Sequence, residues 1–364
     1  MQTLPFLPFD LPFATPLTKL AYQTFSQSKN VFGIAHREWN SRVRQAVDPP
    51  RQQKVSKIDD QMLAMLQKRF DQLLESDWDD AQQGIYPTAL LFDNPWDEFF
   101  RFYPAVWLDA PQTWRRYNQR RYQEFSEAVD TAGYPKYYLQ NFHHQSDGYL
   151  SDDSANLYDL QVELLFGGTA DAMRRRILAP IRQGLTRFND VLPQHQRIID
   201  VACGTGRTLK MLRAAFPQAS LYGTDLSPAY LRKANQLLSQ DRGELPQLLQ
   251  ANAEALPYQD NYFHMVSSVF LFHELPATVR RTIINECFRI AQPNGTLVIC
   301  DSVQVSDSPE METFMKNFPA VFHEPYYRHY STDDLEGRLR QAGFTDIQTE
   351  VHFMSKYWIA RKPV

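Results

Sequence analysis

The sequence predicts a doubly wound α/β domain behind a mainly helical N-terminal extension. Three observations carry that expectation. After residue 195, short apolar runs alternate with helical patterns, as parallel strands joined by crossover helices do. The first of those runs, "RIIDVACGTG", ends in glycines that open a helix. Before residue 140 the chain shows helical stripes and proline-punctuated turns, without strong strand alternation.

In the extension, "IDDQMLAMLQKRFDQLL" sets Ile58, Met62, Met65, Leu66, Phe70 and Leu73 on one helical face. "TWRRYNQRRYQEFSEAV" does the same with Trp114, Tyr117, Tyr122, Phe125 and Val129. Such stripes normally bury against a neighbouring domain. In the domain, "RIIDV" reads as the first strand and "TLKMLRAAF" as the helix behind it. "SLYGTDLS" is the second strand, after which Ser227 caps a helix whose first residue is Pro228. "ELPQLLQANAEALP" holds a third strand. "YFHMVSSVFLFHELP" is a fourth, apolar on both faces as a central parallel strand should be. A helix from Ala277 to Ala291, stopped by Pro293-Asn294-Gly295, leads to a fifth strand, "TLVICDS". A capped helix follows (Ser331 with Asp334, stopped near Gly343), then strands near 345–353 and 356–362. The expected organisation is an extension over 1–140, a lid or linker over 141–185 and the domain over 186–364.

Composition narrows the function. The 364 residues are 43% hydrophobic and 22% charged, as in globular soluble proteins. A net charge of -4 argues against a phosphate-neutralising surface, so nucleic acid is a poor partner. Cys203, Cys287 and Cys300 form no CxxC pair, which points to neither a disulfide framework nor a cysteine zinc cluster. A reducing, cytoplasmic location fits. The N-terminal "MQTLPFLPFDLPFATPLTKL" is apolar, but its prolines forbid the helical core of a signal peptide or membrane span. Leu4, Phe6, Leu7, Phe9, Leu11 and Phe13 are therefore expected to cover a pocket or to touch a membrane peripherally. Nothing in the sequence sets an oligomeric state.

The turn "DVACGTGRTL" carries the chemistry. Gly204 and Gly206 let the backbone approach a ligand, and the helix behind them offers free N–H groups. A dinucleotide fingerprint would need a third glycine where Leu209 stands, and the P-loop lysine is also missing. Asp225, about 20 residues further on at the end of the second strand, can accept both hydroxyls of a ribose.

The ordered series "DVACGTG", "YGTDLS", "ANAEALP", "YFHMVSSVFLFHEL" and "PNGTLVI" resembles class I S-adenosylmethionine-dependent methyltransferases, nearest the ubiquinone/menaquinone C-methyltransferases. The resemblance spans roughly 155–364 and implies a Rossmann-like, seven-stranded methyltransferase sheet with S-adenosyl-L-methionine as cofactor. It implies that Asp200, Ala202, Gly204, Thr205 and Gly206 surround the methionine end, with Ala202 where the family has its first glycine. Asp225 would hold the ribose, Leu226 would pack on adenine, and Asn252 with Ala253 would read the adenine amine. Ser268 matches a position after strand four that touches the methionine moiety, and Tyr158 one that folds over the cofactor. His264 replaces the family's common aspartate.

The acceptor is open. No D/N-P-P-Y motif follows strand four, which disfavours nucleic-acid amines, and the wealth of Phe and Tyr favours a small hydrophobic or aromatic molecule methylated on carbon or oxygen. An alternative is a cofactor-binding interaction module without transferase activity. His273 and Glu274 lie just past strand four, where ligands of open α/β sheets gather, and are the first candidates for base or acceptor contact. His323, Tyr326 and Tyr327 occupy the acceptor-covering insertion of the family. The stretch "NFHHQSDGYLSDDSANLYD" leads into Tyr158, so His143, His144 and Tyr149 are placed on the acceptor side, the histidines as candidate bases. No metal is expected, because adjacent histidines cannot both face one ion and no i, i+4 partner completes a site.

Overall fold

The computed structural model describes residues 15–50, 60–94, 96–241 and 243–364. The apolar run from Leu4 to Phe13, with its pocket or membrane role, and Ile58 lie outside them. Helix α1 (Pro16–Val47) starts at Thr15, whose hydroxyl accepts the Thr18 N–H at 3.3 Å. Helix α2 (Asp60–Gln82) buries Met62, Phe70 and Leu73, with Met65 and Leu66 packed beside them, so the expected stripe is present. Helix α3 (Trp96–Gln119) buries Trp114 but stops before the second half of its predicted stripe. Arg120 turns left-handed at φ 54°, and the chain beyond it pairs with Asn141 instead. The Asn141 N–H donates to Tyr122 O at 2.7 Å, and its carboxamide bonds the Glu124 N–H at 2.7 Å and carbonyl at 2.9 Å. Tyr122, Phe125 and Val129 are therefore outside any helix.

Helices α4 (Asp152–Leu165), α5 (Ala170–Arg175) and α6 (Leu178–Leu185) lead into the sheet. Its first half alternates β1 (Arg197–Val201), α7 (Arg207–Ala215), β2 (Ser220–Asp225), α8 (Pro228–Leu238) and β3 (Gln247–Gln250). The second runs β4 (Phe263–Val269), α9 (Ala277–Ile290), β5 (Ala291–Ser302), α10 (Glu312–Phe322), α11 (Tyr327–Tyr330), α12 (Leu335–Ala342), β6 (Thr345–His352) and β7 (Ser355–Arg361). The strand order is β3-β2-β1-β4-β5-β7-β6, parallel except for β7, which is antiparallel to both neighbours. Ser227 caps α8 as expected, accepting the Tyr230 N–H at 3.2 Å. Helix α12 is capped by Asp334 and not by Ser331. The Asp334 carboxylate reaches the Gly337 N–H at 2.7 Å, while the Ser331 hydroxyl donates to Arg328 O. His264 proves structural, its Nδ1 accepting the Arg197 N–H at 2.9 Å to join β4 to β1. Among the described residues no helix is long and apolar enough to cross a membrane.

One buried charge cluster fastens α1 and α2 to α5. Asp77 of α2 has no exposed surface and takes Arg175 of α5 on both oxygens, with Nη2 at 2.6 Å and Nε at 2.9 Å. Tyr86 donates to the same carboxylate at 2.6 Å, and so does Tyr22 of α1. Burial and the adjoining Asp77 charge push both phenol groups up. Removing one partner of such a pair strands the other charge away from water. Asp77→Ala is expected to lose about 3–5 kcal/mol of stability in urea denaturation. An unchanged midpoint would show that apolar packing alone holds the extension.

Candidate active site

The carboxyl ends of β1 and β2 are tied together by Asp225. Its Oδ2 accepts the Gly204 N–H and its Oδ1 the Ser227 N–H, each at 2.8 Å. Burial pushes this carboxyl up, and the N–H groups of Ser227, Gly204 and Leu226 pull it back. Ala202, Gly204 and Gly206 all adopt positive φ, at 58°, 54° and 84°. Ala202 therefore holds, at some steric cost, a conformation that suits glycine. A Cβ on Gly204 would meet only Tyr230, at 3.9 Å, so that side of the turn is open to a ligand. At Gly206 a Cβ would sit 3.0 Å from Ala234, so this glycine serves packing against α8.

Asp225, Leu226, Ala202, Gly204, Asn252 and Ala253 line a narrow cavity of about 100 Å³. Asn252 spends one lone pair of its amide oxygen on the Glu254 N–H at 2.9 Å. Other expected residues stand behind the wall. Asp200 is buried, accepts the Ser267 hydroxyl at 2.8 Å, leaves Oδ2 unpartnered, and is pushed up to about 7 by burial. Thr205 donates to Asp159 at 2.9 Å. Ser268 lies inside β4, not after it, and its hydroxyl turns to Val201 O at 3.0 Å. The cavity wall there is Val269, Phe270 and Leu271.

The opposite wall is aromatic. Tyr149, Tyr158 and Tyr230 meet edge to face at 5.4–5.9 Å between ring centres, with Tyr137 and Tyr138 beside them. Sequence reasoning missed Tyr137, Tyr138, Tyr230 and Phe270. Tyr230 was findable, since a residue in the first turn of α8 points its side chain back toward the strand ends.

A second cavity, of about 50 Å³, adjoins the first and shares Tyr158, Phe270 and Glu274 with it. Its far side is apolar, built by Met311, Phe314, Met315 and Phe318 at α10. Where the cavities meet, His143 Nε2 lies 2.9 Å from Glu324 Oε1 and 3.9 Å from Glu274 Oε1. Tyr149 donates to Glu274, and His273 Nε2 lies 3.8 Å from it. His273 Nδ1 rests on Asp301 at 2.6 Å. Burial works to lower His273, but the Asp301 charge and hydrogen bond outweigh it and hold the ring at about 10. Burial and the Glu324 charge push Glu274 up to about 7. His143 is likewise raised, since the two glutamates overcome its burial.

His144, His323 and Tyr326 do not reach either cavity. His143 and His144 both take left-handed φ, at 54° and 58°, which throws their side chains apart. His144 packs edge-on against Tyr117 with Nε2 on Val321 O at 3.1 Å, and burial takes it down to about 3. His323 stacks on Tyr122 at 4.0 Å, and burial takes it to about 4. Tyr326 packs at the edge of the Phe142 cluster. Tyr327 lines the second cavity as expected.

Residues 198–295 match the family model described as a methyltransferase domain. Over 176 residues the chain is 27% identical to demethylmenaquinone methyltransferase of Anoxybacillus flavithermus, covering 42% of this chain and 72% of that one. It is 28% identical over 176 residues to the ubiquinone/menaquinone biosynthesis C-methyltransferase UbiE of Yersinia pestis, covering 42% and 67%. Among solved structures, human N-acetylserotonin methyltransferase in complex with S-adenosylmethionine aligns at 17% identity and a TM-score of 0.42, over 70% of this chain and 67% of that one.

The placement of His144 is testable. His144→Ala should cost about 2–4 kcal/mol, as large-to-small changes in packed interiors do, with S-adenosylmethionine affinity unchanged by calorimetry. Loss of affinity at full stability would return His144 to the site.

Proposed function

We propose that this class I S-adenosylmethionine-dependent methyltransferase, a relative of the ubiquinone/menaquinone C-methyltransferases, methylates a carbon or oxygen of a small apolar ring compound of the phenol or quinol kind. The observation that carries the reading is the shared wall of the two cavities. A chamber that carries Gly204, Asp225 and Asn252 meets one backed by the Met and Phe side chains of α10 at Tyr158, Phe270 and Glu274. The names of the curated relatives favour a quinol-type ring, and the Met and Phe lining of α10 suits one.

The chain's own residues supply binding and alignment. In this reading Asp225 accepts the ribose hydroxyls, Leu226, Asn252 and Ala253 take the adenine, and the turn from Ala202 to Gly204 receives the methionine end. The open space beside Gly204 and the carboxylate on the cavity wall fit that cofactor. When bound, it would supply an electrophilic methyl group to the acceptor. Tyr158 and Phe270 hold the acceptor against that group and exclude water. Glu274, backed by Tyr149 and His143, takes the proton that the acceptor gives up. In this reading His273 is not the base, because the Asp301 charge and hydrogen bond hold its ring at about 10 and keep it protonated. It positions Glu274. Exposed apolar side chains on α1 and α3 (Leu17, Leu20 and Phe100), which line one groove, favour peripheral contact with a lipid surface that would carry such an acceptor.

Asp225→Ala should weaken S-adenosylmethionine binding at least tenfold, since charge-assisted hydrogen bonds contribute roughly 1.5–3 kcal/mol each. Calorimetry giving wild-type affinity would overturn the ribose assignment. Glu274→Gln should leave that affinity nearly unchanged and slow turnover by roughly 10²–10⁴-fold. The assay is transfer of labelled methyl to fractionated extract and then to the identified acceptor. Full turnover in the variant would dismiss Glu274 as the base.

A further inference from the structure

We infer that His143, Glu274 and Glu324 bind one divalent transition cation where the two cavities meet. The inference rests on the acceptor chamber proposed above and adds a group to it. The three side chains can each offer one donor atom, all within 4.8 Å of one another. His143 Nε2 stands 2.9 Å from Glu324 Oε1 and 3.9 Å from Glu274 Oε1. Ligands bonded at 2.0–2.2 Å to one ion stand roughly 3.0–3.4 Å apart, so small side-chain adjustments close the set.

Glu324 supplies the independent observation. Its side chain has no exposed surface, and Oε2 has no hydrogen-bond partner. The imidazole of His143 faces one oxygen, and nothing faces the other. A carboxylate offers about four lone-pair sites, and burying it this poorly served is expensive. A cation in the space between Glu324, Glu274 and His143 would serve it. Glu274 accepts the Tyr149 hydroxyl, the kind of outer hydrogen bond that orients a ligating carboxylate. One imidazole with two carboxylates suits zinc, manganese or ferrous iron better than magnesium or calcium, which take all-oxygen sets. His143 and Glu274 both line the acceptor chamber, so an open coordination position would face an acceptor oxygen and polarise it.

The full chain, stripped with chelator, is titrated separately with Zn²⁺, Mn²⁺ and Mg²⁺ by calorimetry, and the metal retained after dialysis is counted. One zinc or manganese ion per chain is expected. His143→Ala and Glu324→Gln should each weaken it at least tenfold, while Glu324→Gln keeps wild-type affinity for S-adenosylmethionine. If Glu324→Gln does not fold, His143→Ala and the wild-type stoichiometry decide. No retained ion, binding of magnesium alone, or equal affinity in the folded variants would overturn the inference and leave a protonated ion pair. Full methyl transfer by the chelated protein would reject the cation in catalysis and leave the methyltransferase reading standing. Failure of the wild type to bind S-adenosylmethionine, with zinc or manganese bound one to one, would reject that reading and leave the cation site.

Discussion

A single carboxylate decides where the site lies. Asp225 closes β2 and holds the Gly204 N–H with one oxygen and the Ser227 N–H with the other, each at 2.8 Å. The first bond sets the turn after β1, and the second sets the entry to α8. The parallel register brings these turns together, with Val201 opposite Thr224, so Asp225 falls beside the glycine turn. The connection then crosses from β3 to β4 on the other side of β1, and the crevice at that switch point is the cavity floor.

A sheet of this kind would offer only an open crevice. Here the chain before it closes the crevice into chambers. Tyr137, Tyr138, Tyr149 and Tyr158 all precede β1, and they meet Tyr230 of α8 across the cavity. Edge-to-face pairs of this kind contribute about 0.5–1.5 kcal/mol each beyond the area they bury. The segment is held from the far side as well, through Asp77 and Arg175 in the buried cluster that joins α2 to α5. Both cavities therefore lie along the boundary between this preceding chain and the sheet.

Left-handed residues steer the side chains at that boundary. His143, His144 and His323 carry φ values of 54°, 58° and 49°, each unfavourable for a side chain with a Cβ by roughly 1–2 kcal/mol. What they achieve is separation. His143 turns inward to Glu324, while His144 and His323 turn into the rings of Tyr117 and Tyr122. Backbone strain of this kind persists only where surrounding packing over-determines it, and functional sites are its usual address.

Much of the fold was legible because its signals are local. A glycine turn needs φ above zero, Ser227 caps its helix within three residues, and a central parallel strand is apolar on both faces. These constraints act over a few bonds, and they located seven strands, the cavity floor and Asp225 from the residues alone. Glu324 could not be found this way, nor could the separate fates of His143 and His144. A carboxylate next to a proline in "FHEPYY" looks exposed, and adjacent histidines look equivalent, until folding strips water from one environment and packs rings around the other. The chemistry of His143, Glu274 and Glu324 comes from desolvation and from partners brought together across the chain. Those are properties of the enclosed tertiary structure, because the electrostatic cost of a buried charge exists only once water has been excluded from it.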